Sequence, residues 1–325
     1  MLKLDLYIKA FSALEQQSAN LESSEVDTKR SYGTPSPLLA LEPDYTNTIP
    51  PMQLRRMSKA VRMGIGAAKN CLEMAEISKP DAIIVGTAFG CLQDTENFLK
   101  KMVEQDEKML TPTAFIQSTH NTIAGQIALG TQCMGYNNTI SQHGHSFENA
   151  LVAAALLLNE KPESNVLCGG VDELTQTAFH LMQRAGLFGE INSEKKSVAA
   201  GEGAGFLLLQ KSNEAALACV RTIHSFTEKD IEKALAAVWE SLKEQGFNEK
   251  ANALWLGISA EDTMNLLPAE ADEIQPHFFK GKTGQWGTVM ATAICKAIQE
   301  SPDNSRVFMV NNFCEDWSVV VLEML

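Results

Sequence analysis

Tyr136-Asn137-Asn138-Thr139-Ile140-Ser141-Gln142-His143-Gly144-His145-Ser146-Phe147-Glu148-Asn149-Ala150-Leu151-Val152-Ala153-Ala154-Ala155-Leu156-Leu157-Leu158 is the stretch on which the fold turns. A short β-prone run, 136–141, stops at a tight turn, 142–145, and an almost wholly apolar helix follows. A polar loop, 159–165, then leads to a second strand, Val166-Leu167-Cys168-Gly169-Gly170-Val171-Asp172. A helix apolar on nearly every face must be covered on every face, which places it in the middle of a large fold. Strand, sharp turn and buried helix are also how several enzyme folds present a nucleophile. The free N–H groups and positive dipole end of the helix favour developing negative charge there.

Toward the N-terminus, Leu4 to Ala13 alternates as a strand. Residues 15–50 form a long excursion rich in Ser, Pro and Thr. Helical spacing runs from about Met52 to Met74, and Asp81 to Gly86 reads as a buried strand. Amphipathic helices follow over Glu96–Met109 and Asn121–Gln132. Beyond the central stretch, Leu174 to Gly186 is helical, and Gly201-Glu202-Gly203-Ala204-Gly205 runs into a strand. That glycine run precedes its strand, the wrong order for a dinucleotide fingerprint, so it reads as tight turns and close packing. Strands at 219–224 and 254–259, helices at 228–244 and 284–299, and a closing hairpin of 307–313 with 318–325 repeat the alternation. A mainly parallel sheet with right-handed crossovers is expected. The helix from Gly284 stands in its half as Ser146–Leu158 stands in the first, which suggests an internal duplication.

Composition narrows the function. The 325 residues carry 45% hydrophobic and 21% charged residues and a net charge of −13. The last figure argues against unaided binding to nucleic acid or an anionic membrane. Arg55, Arg56, Lys59 and Arg62 form one basic cluster, read as a solvated helix face or as a local site for an acidic carrier protein. No run of 18 apolar residues occurs, and the start shows no signal-peptide pattern. Seven scattered cysteines without a C-x-x-C pair read as reduced core residues of a cytoplasmic protein. Cys168 and Cys314 are the candidates if one is catalytic.

Taken in order, these motifs resemble the β-ketoacyl synthase family of the thiolase fold. Arg55-Arg56-Met57-Ser58 resembles its R-R-M-S/D motif, and Gly86-Thr87 with Gly90 its G-T-G-x-G segment. Tyr136–Ala150 is similar to the nucleophile strand, elbow and helix, and Gly169-Gly170 to the turn behind it. Gly201–Gly205 is similar to G-E-G-A-G, Lys280–Gln285 to K-x-x-x-G-H, and Asn311-Asn312-Phe313 to N-S-F. The resemblance covers most of the chain. It implies an α/β fold of two similar βαβαβ-type halves, 1–210 and 211–325, forming a five-layered α-β-α-β-α sandwich. It also implies dimers through strands near Cys168 and the elbow.

Ketosynthase chemistry needs a cysteine thiolate at the elbow and two histidines that act on the malonyl unit and its enolate. Counted through the buried helix, the position matching the cysteine is Gln142. Those matching the histidines are Leu256 and Gln285, while Lys280 matches the family's lysine. An amide has no usable nucleophilicity and a leucine no proton to give, so no intact catalytic set remains. The pattern resembles chain-length-factor subunits of type II systems, including aryl-polyene or flexirubin-like ones. What this implies is a non-catalytic partner of an active ketosynthase (as heterodimer, or a homodimer), working with an acyl carrier protein. It would hold no cofactor of its own beyond the carrier's phosphopantetheine. The alternative is an active 3-oxoacyl-[acyl-carrier-protein] synthase or malonyl-carrier decarboxylase with relocated catalytic groups.

Other candidates have plainer readings beside them. His143 and His145 satisfy turn groups or line a residual pocket, with too few further ligands for a metal site. Ser141 with His277 would make a hydrolase, but both flanking glycines of the serine elbow are missing. Phe313 lies at the gate, whose glycines are replaced by Cys314-Glu315-Asp316. Trp286, Phe278 and Phe279 are expected to plug or narrow a tunnel.

Overall fold

Burial on both faces marks the central strands. Every residue of Ala82–Gly86 and of Val166–Asp172 is buried, as strands sandwiched between helix layers must be. A computed structural model describes residues 2–18, 36–46, 49–187, 199–247, 252–258 and 276–325. In chain order the elements are β1 (Leu2–Ala13), β2 (Gln16–Ser18), β3 (Leu38–Ala40), α1 (Pro51–Leu54), α2 (Lys59–Met74), β4 (Ala82–Gly86), α3 (Leu92–Glu104), α4 (Pro112–Gln117), α5 (Thr122–Thr131) and β5 (Tyr136–Ile140). A 3-10 turn (His143–His145) opens α6 (Ser146–Glu160). β6 (Val166–Asp172), α7 (Gln176–Arg184), β7 (Gly203–Gln210), β8 (Ala218–Thr227), α8 (Ile231–Glu244) and β9 (Asn252–Gly257) follow. The chain closes with β10 (His277–Phe278), α9 (Lys280–Thr283), α10 (Val289–Glu300), β11 (Arg306–Phe313) and β12 (Asp316–Met324).

Among the described residues the long strands form one ten-stranded sheet ordered β10-β9-β11-β12-β8-β1-β7-β6-β4-β5. Outward from the antiparallel β1–β8 seam, each side repeats the same pattern: its last, fourth, second and third strand in chain order. The sheet is mixed, where a mainly parallel one was expected. β4 pairs parallel with β5 and β6, and β9 with β10 and β11. The remaining pairs are antiparallel, because β12 returns on β11 through a tight turn and β7 runs back along β6.

Alternation sorts the core into layers. Ile84, Val166, Cys168 and Leu207 face α6 and α10 on one side, and Trp255, Met309, Val320 and Leu322 close the same core from the other half. Ile83, Leu167, Phe206 and Leu208 face outward onto α2 and α5, and Leu254, Leu256, Phe308 and Val310 face outward onto α8. This is the five-layered arrangement. Gly205 permits its middle: a Cβ there would lie 2.7 Å from the Ala291 carbonyl carbon, so α10 rests on bare backbone.

Three local expectations change. The helix expected from Met52 is two helices, broken at 55–58, with α2 starting after Ser58. The excursion holds the β2–β3 pair. Finally, α6 is not covered all round: Leu156 is 63% exposed, and Asn149, Val152 and Ala153 are half-buried. Its uncovered stripe lies beside β5, the sheet's edge strand. Cys168 sits fully buried on the interior strand β6, while β5, which leads to the elbow, is one of the two edge strands among the described residues.

Candidate functional site

β5 leads into the elbow. Gln142 is extended in φ at −147°, and His143 takes φ +46°, a conformation that residues other than glycine seldom adopt. The next residue is glycine because the C-terminal hairpin presses on it. A Cβ on Gly144 would lie 2.9 Å from Asp316 Cβ and 3.0 Å from Phe313 Cβ.

Several polar groups of this turn are engaged within the chain. Gln142 N–H donates to Ser146 Oγ at 2.8 Å, Ser146 Oγ donates to the His143 carbonyl at 2.7 Å, and His145 N–H donates to the Gln142 carbonyl at 3.0 Å. Gly144 N–H donates to Asp316 Oδ2 at 3.1 Å. Asp316 Oδ1 accepts from Thr227 Oγ1 at 3.0 Å and stands 3.8 Å from His145 Nδ1. His145 Nε2 lies 3.1 Å from the Trp317 carbonyl. The end of α6 that would stabilise negative charge on a substrate therefore holds a carboxylate of the chain's own.

Beneath the elbow is a buried acid and a buried amine. Glu148 Oε1 accepts from Ser318 Oγ at 2.7 Å, and Oε2 has no partner. Burial pushes the Glu148 carboxyl up to about 7. Lys280 Nζ donates to the Asn312 carbonyl. Burial brings its amine down to about 7, against the opposing pull of Cys314 and Glu148. Cys314 is exposed, and partial burial raises its thiol despite nearby Lys280. The other six cysteines are buried and unpaired. Asn311 Oδ1 is buried without a partner.

The three residues expected at catalytic positions, Gln142, Leu256 and Gln285, lie in different settings. Gln142 is exposed, and its Oε1 accepts from Asn149 Nδ2 at 2.6 Å. Leu256 is fully buried in the outer core against α8. Gln285 is half-buried and held by its backbone, which pairs with Ala199 and Gly201. His143 faces Phe89, ring centroids 6.3 Å apart, and Phe89 faces Phe313 at the same distance. Trp286 packs on Gly201 and Gly203, while Phe279 fills the space beside Gly257 and Phe278 is exposed. Ser141 donates to the Ala88 carbonyl at 3.4 Å, and His277 stacks on Trp255 from the opposite edge strand. Ser259 lies outside the described residues.

The basic cluster divides. Arg62 forms a two-pronged pair with Glu42 (both contacts 2.8 Å), and Lys59 pairs with the buried Glu202. Glu202 also accepts from the Ala40 and Leu174 N–H groups, which gives the G-E-G-A-G run a structural role. Arg55 and Arg56 stay exposed without an ion pair among the described residues.

Sequence reasoning passed over Asp316, Asp172 and Glu148. Glu148 had a signal, a lone carboxylate in an apolar helix. Asp172 and Asp316 had none, since their partners lie more than 80 residues away.

Residues 32–234 match the family described as Beta-ketoacyl synthase, N-terminal domain. No curated protein matches by sequence. Among solved structures, the ishigamide ketosynthase/chain length factor is similar with a TM-score of 0.77 at 16% identity, covering 99% of this chain and 99% of that chain. A β-ketoacyl synthase from Burkholderia phymatum STM815 gives 0.76 at 14% identity, covering 100% of both chains. The structure of the ketosynthase ApeO with its chain length factor ApeC, from Xenorhabdus doucetiae, gives 0.72 at 14%, covering 99% and 98%. At such identities the likeness is one of fold.

Proposed function

The chain belongs to the β-ketoacyl synthase family and has its thiolase-like fold, and from that premise we propose that it is a non-catalytic, chain-length-factor-like subunit. In this reading it pairs in the cytoplasm with an active ketosynthase of a type II fatty acid or polyketide system, of the aryl-polyene kind. The observation that carries the reading is the Gly144 N–H bound to Asp316 Oδ2. Acyl transfer and condensation both build negative charge at the elbow and need free donors there. Here the donor is taken, and an incoming anion meets a like charge. Gln142 adds no nucleophile.

Pairing is supported by the exposed apolar side chains around the unpaired β5 edge. Leu129 is 73% exposed, Met134 90%, Tyr136 47% and Leu156 63%. An open strand edge flanked by such groups favours addition of another chain. Exposed Arg55 and Arg56 suit the carrier protein's acidic surface.

The test is direct. The purified chain is incubated with an acyl-loaded carrier protein, and acyl-enzyme is sought by intact mass. A candidate ketosynthase is then added. No adduct on the chain alone, with condensation gained on mixing, supports the subunit. An adduct on Cys168, Cys314 or Ser141 supports the second reading, a synthase or decarboxylase with relocated groups. The one observation favouring that reading is that an acid, Glu148, and an amine, Lys280, are both buried near the elbow, where burial draws each to about 7.

A further inference from the structure

At the end of α10 remote from the elbow lies a half-open cavity of about 450 Å³. Glu15, Gln16 and Leu38 line it from the N-terminal strands, Lys282 from α9, and Lys296 and Gln299 from α10. Lys296 and Gln299 are three residues apart and share one helix face. Lys296 lies eight residues beyond Thr288, about 12 Å along the axis, so this cavity is separate from the elbow.

Its charges are unevenly answered. Lys282 Nζ lies 3.3 Å and 3.4 Å from the two carboxylate oxygens of Glu300. Lys296 is half-buried and, among the described residues, makes no hydrogen bond or ion pair. Burial and the neighbouring Lys282 both hold its amine below the ordinary range, with Glu300 and Glu15 pulling the other way. Glu15 and Glu300 are exposed. A partly desolvated ammonium facing a second cation across a cavity, with no hydrogen-bond partner, is unfavourable. An anion between the two removes both penalties.

We propose that this cavity binds a small oxyanion, a carboxylate or a phosphate, held between Lys282 and Lys296 with the Gln299 amide donating. The site is independent of the elbow and of the subunit reading.

The full chain is titrated calorimetrically with sodium phosphate and, separately, with sodium acetate, each against sodium chloride at matched ionic strength. Saturable one-to-one binding of either anion is expected. Lys296→Met and Lys282→Met each lower that affinity at least tenfold, while Lys108→Met on the exposed surface leaves it unchanged. Binding of phosphate alone marks a phosphate ester as the source, and binding of acetate alone a carboxylate. Thermal unfolding confirms that each variant folds, with Lys296→Gln as the milder substitute. No saturable heat beyond chloride, or affinity untouched by both lysine substitutions, overturns the proposal.

Discussion

Asp172 and Asp316 cap each other's halves. Asp172, at the end of β6, accepts from the backbone N–H and hydroxyl of Thr288 at the start of α10, at 3.0 and 2.8 Å. Asp316, at the start of β12, accepts from the Gly144 N–H at the start of α6 at 3.1 Å. Each buried helix thus meets a carboxylate from the opposite half at its positive end. The second oxygen of Asp172 takes three more donors, Thr87 Oγ1, Ala88 N and Phe89 N, at 3.0, 2.8 and 3.2 Å.

The two caps differ in weight. Asp172→Ala leaves five donors unanswered, four of them buried, and loss of a buried, fully bonded carboxylate costs roughly 3–5 kcal/mol. Asp316 is half-buried with two donors, so Asp316→Ala costs about 1–2 kcal/mol. Urea unfolding at constant m-value measures both. Equal losses would contradict this difference in weight.

Restoring the nucleophile alone does not restore reactivity. With Asp316 at the helix end, the thiol of Gln142→Cys keeps an ordinary pKa of about 8.5, and acyl-carrier protein leaves it unlabelled. Adding Asp316→Asn lowers the thiol pKa, read as faster alkylation by iodoacetamide near pH 7. A fast-alkylating thiol in the single variant counts against the elbow argument.

Stability responds to pH through buried groups. The Glu148 and Glu173 carboxyls are both raised, chiefly by burial, from 4.5 to about 7. The folded chain therefore holds more protons than the unfolded chain between those values. Stability from these groups is full below about 4.5 and falls as pH rises to 7, by on the order of 1.4 kcal/mol per unit for each. Lys280 is lowered from 10.5 to about 7, so its contribution is lost as pH falls from 10.5 to 7. Glu148→Gln removes one carboxyl from this balance. Its unfolding temperature relative to the parent chain should rise between pH 5 and pH 7, and a constant difference would show Glu148 titrating normally.

Pairing at β5 is tested on side chains that support nothing within the single chain. Met134→Glu with Leu156→Glu, both sites exposed, should leave the unfolding temperature within about 2 °C, because such surface changes cost under 0.5 kcal/mol. Copurification with a ketosynthase, or self-association, should fall at least tenfold. Unchanged association moves the interface elsewhere.

Periodicity carried most of the architecture. The apolar runs at 82–86 and 166–172, the helix at 146–158 and the closing hairpin are local patterns, and each became the expected element. Strand direction was less legible, because pairing depends on partners far apart in the chain: β1 joins β7 and β8, some 200 residues on. The break at 55–58 was likewise hidden, since Ala60 N–H is held by Glu173 Oε2 at 3.1 Å, across 113 residues.

From residue order alone came the strand–elbow–helix unit, the alternation of elements in both halves, and the presence of an amide, Gln142, at the elbow. These follow from side-chain identity and short-range spacing, which need no knowledge of the rest of the chain. Only the folded chain decided that Asp316 occupies the elbow's donor, that Leu256 faces α8, and that α6 keeps one apolar stripe uncovered beside an open strand. Each of those depends on which distant surfaces come together when the two halves close. Hydrogen bonds between remote residues leave no periodic trace in the sequence that encodes them.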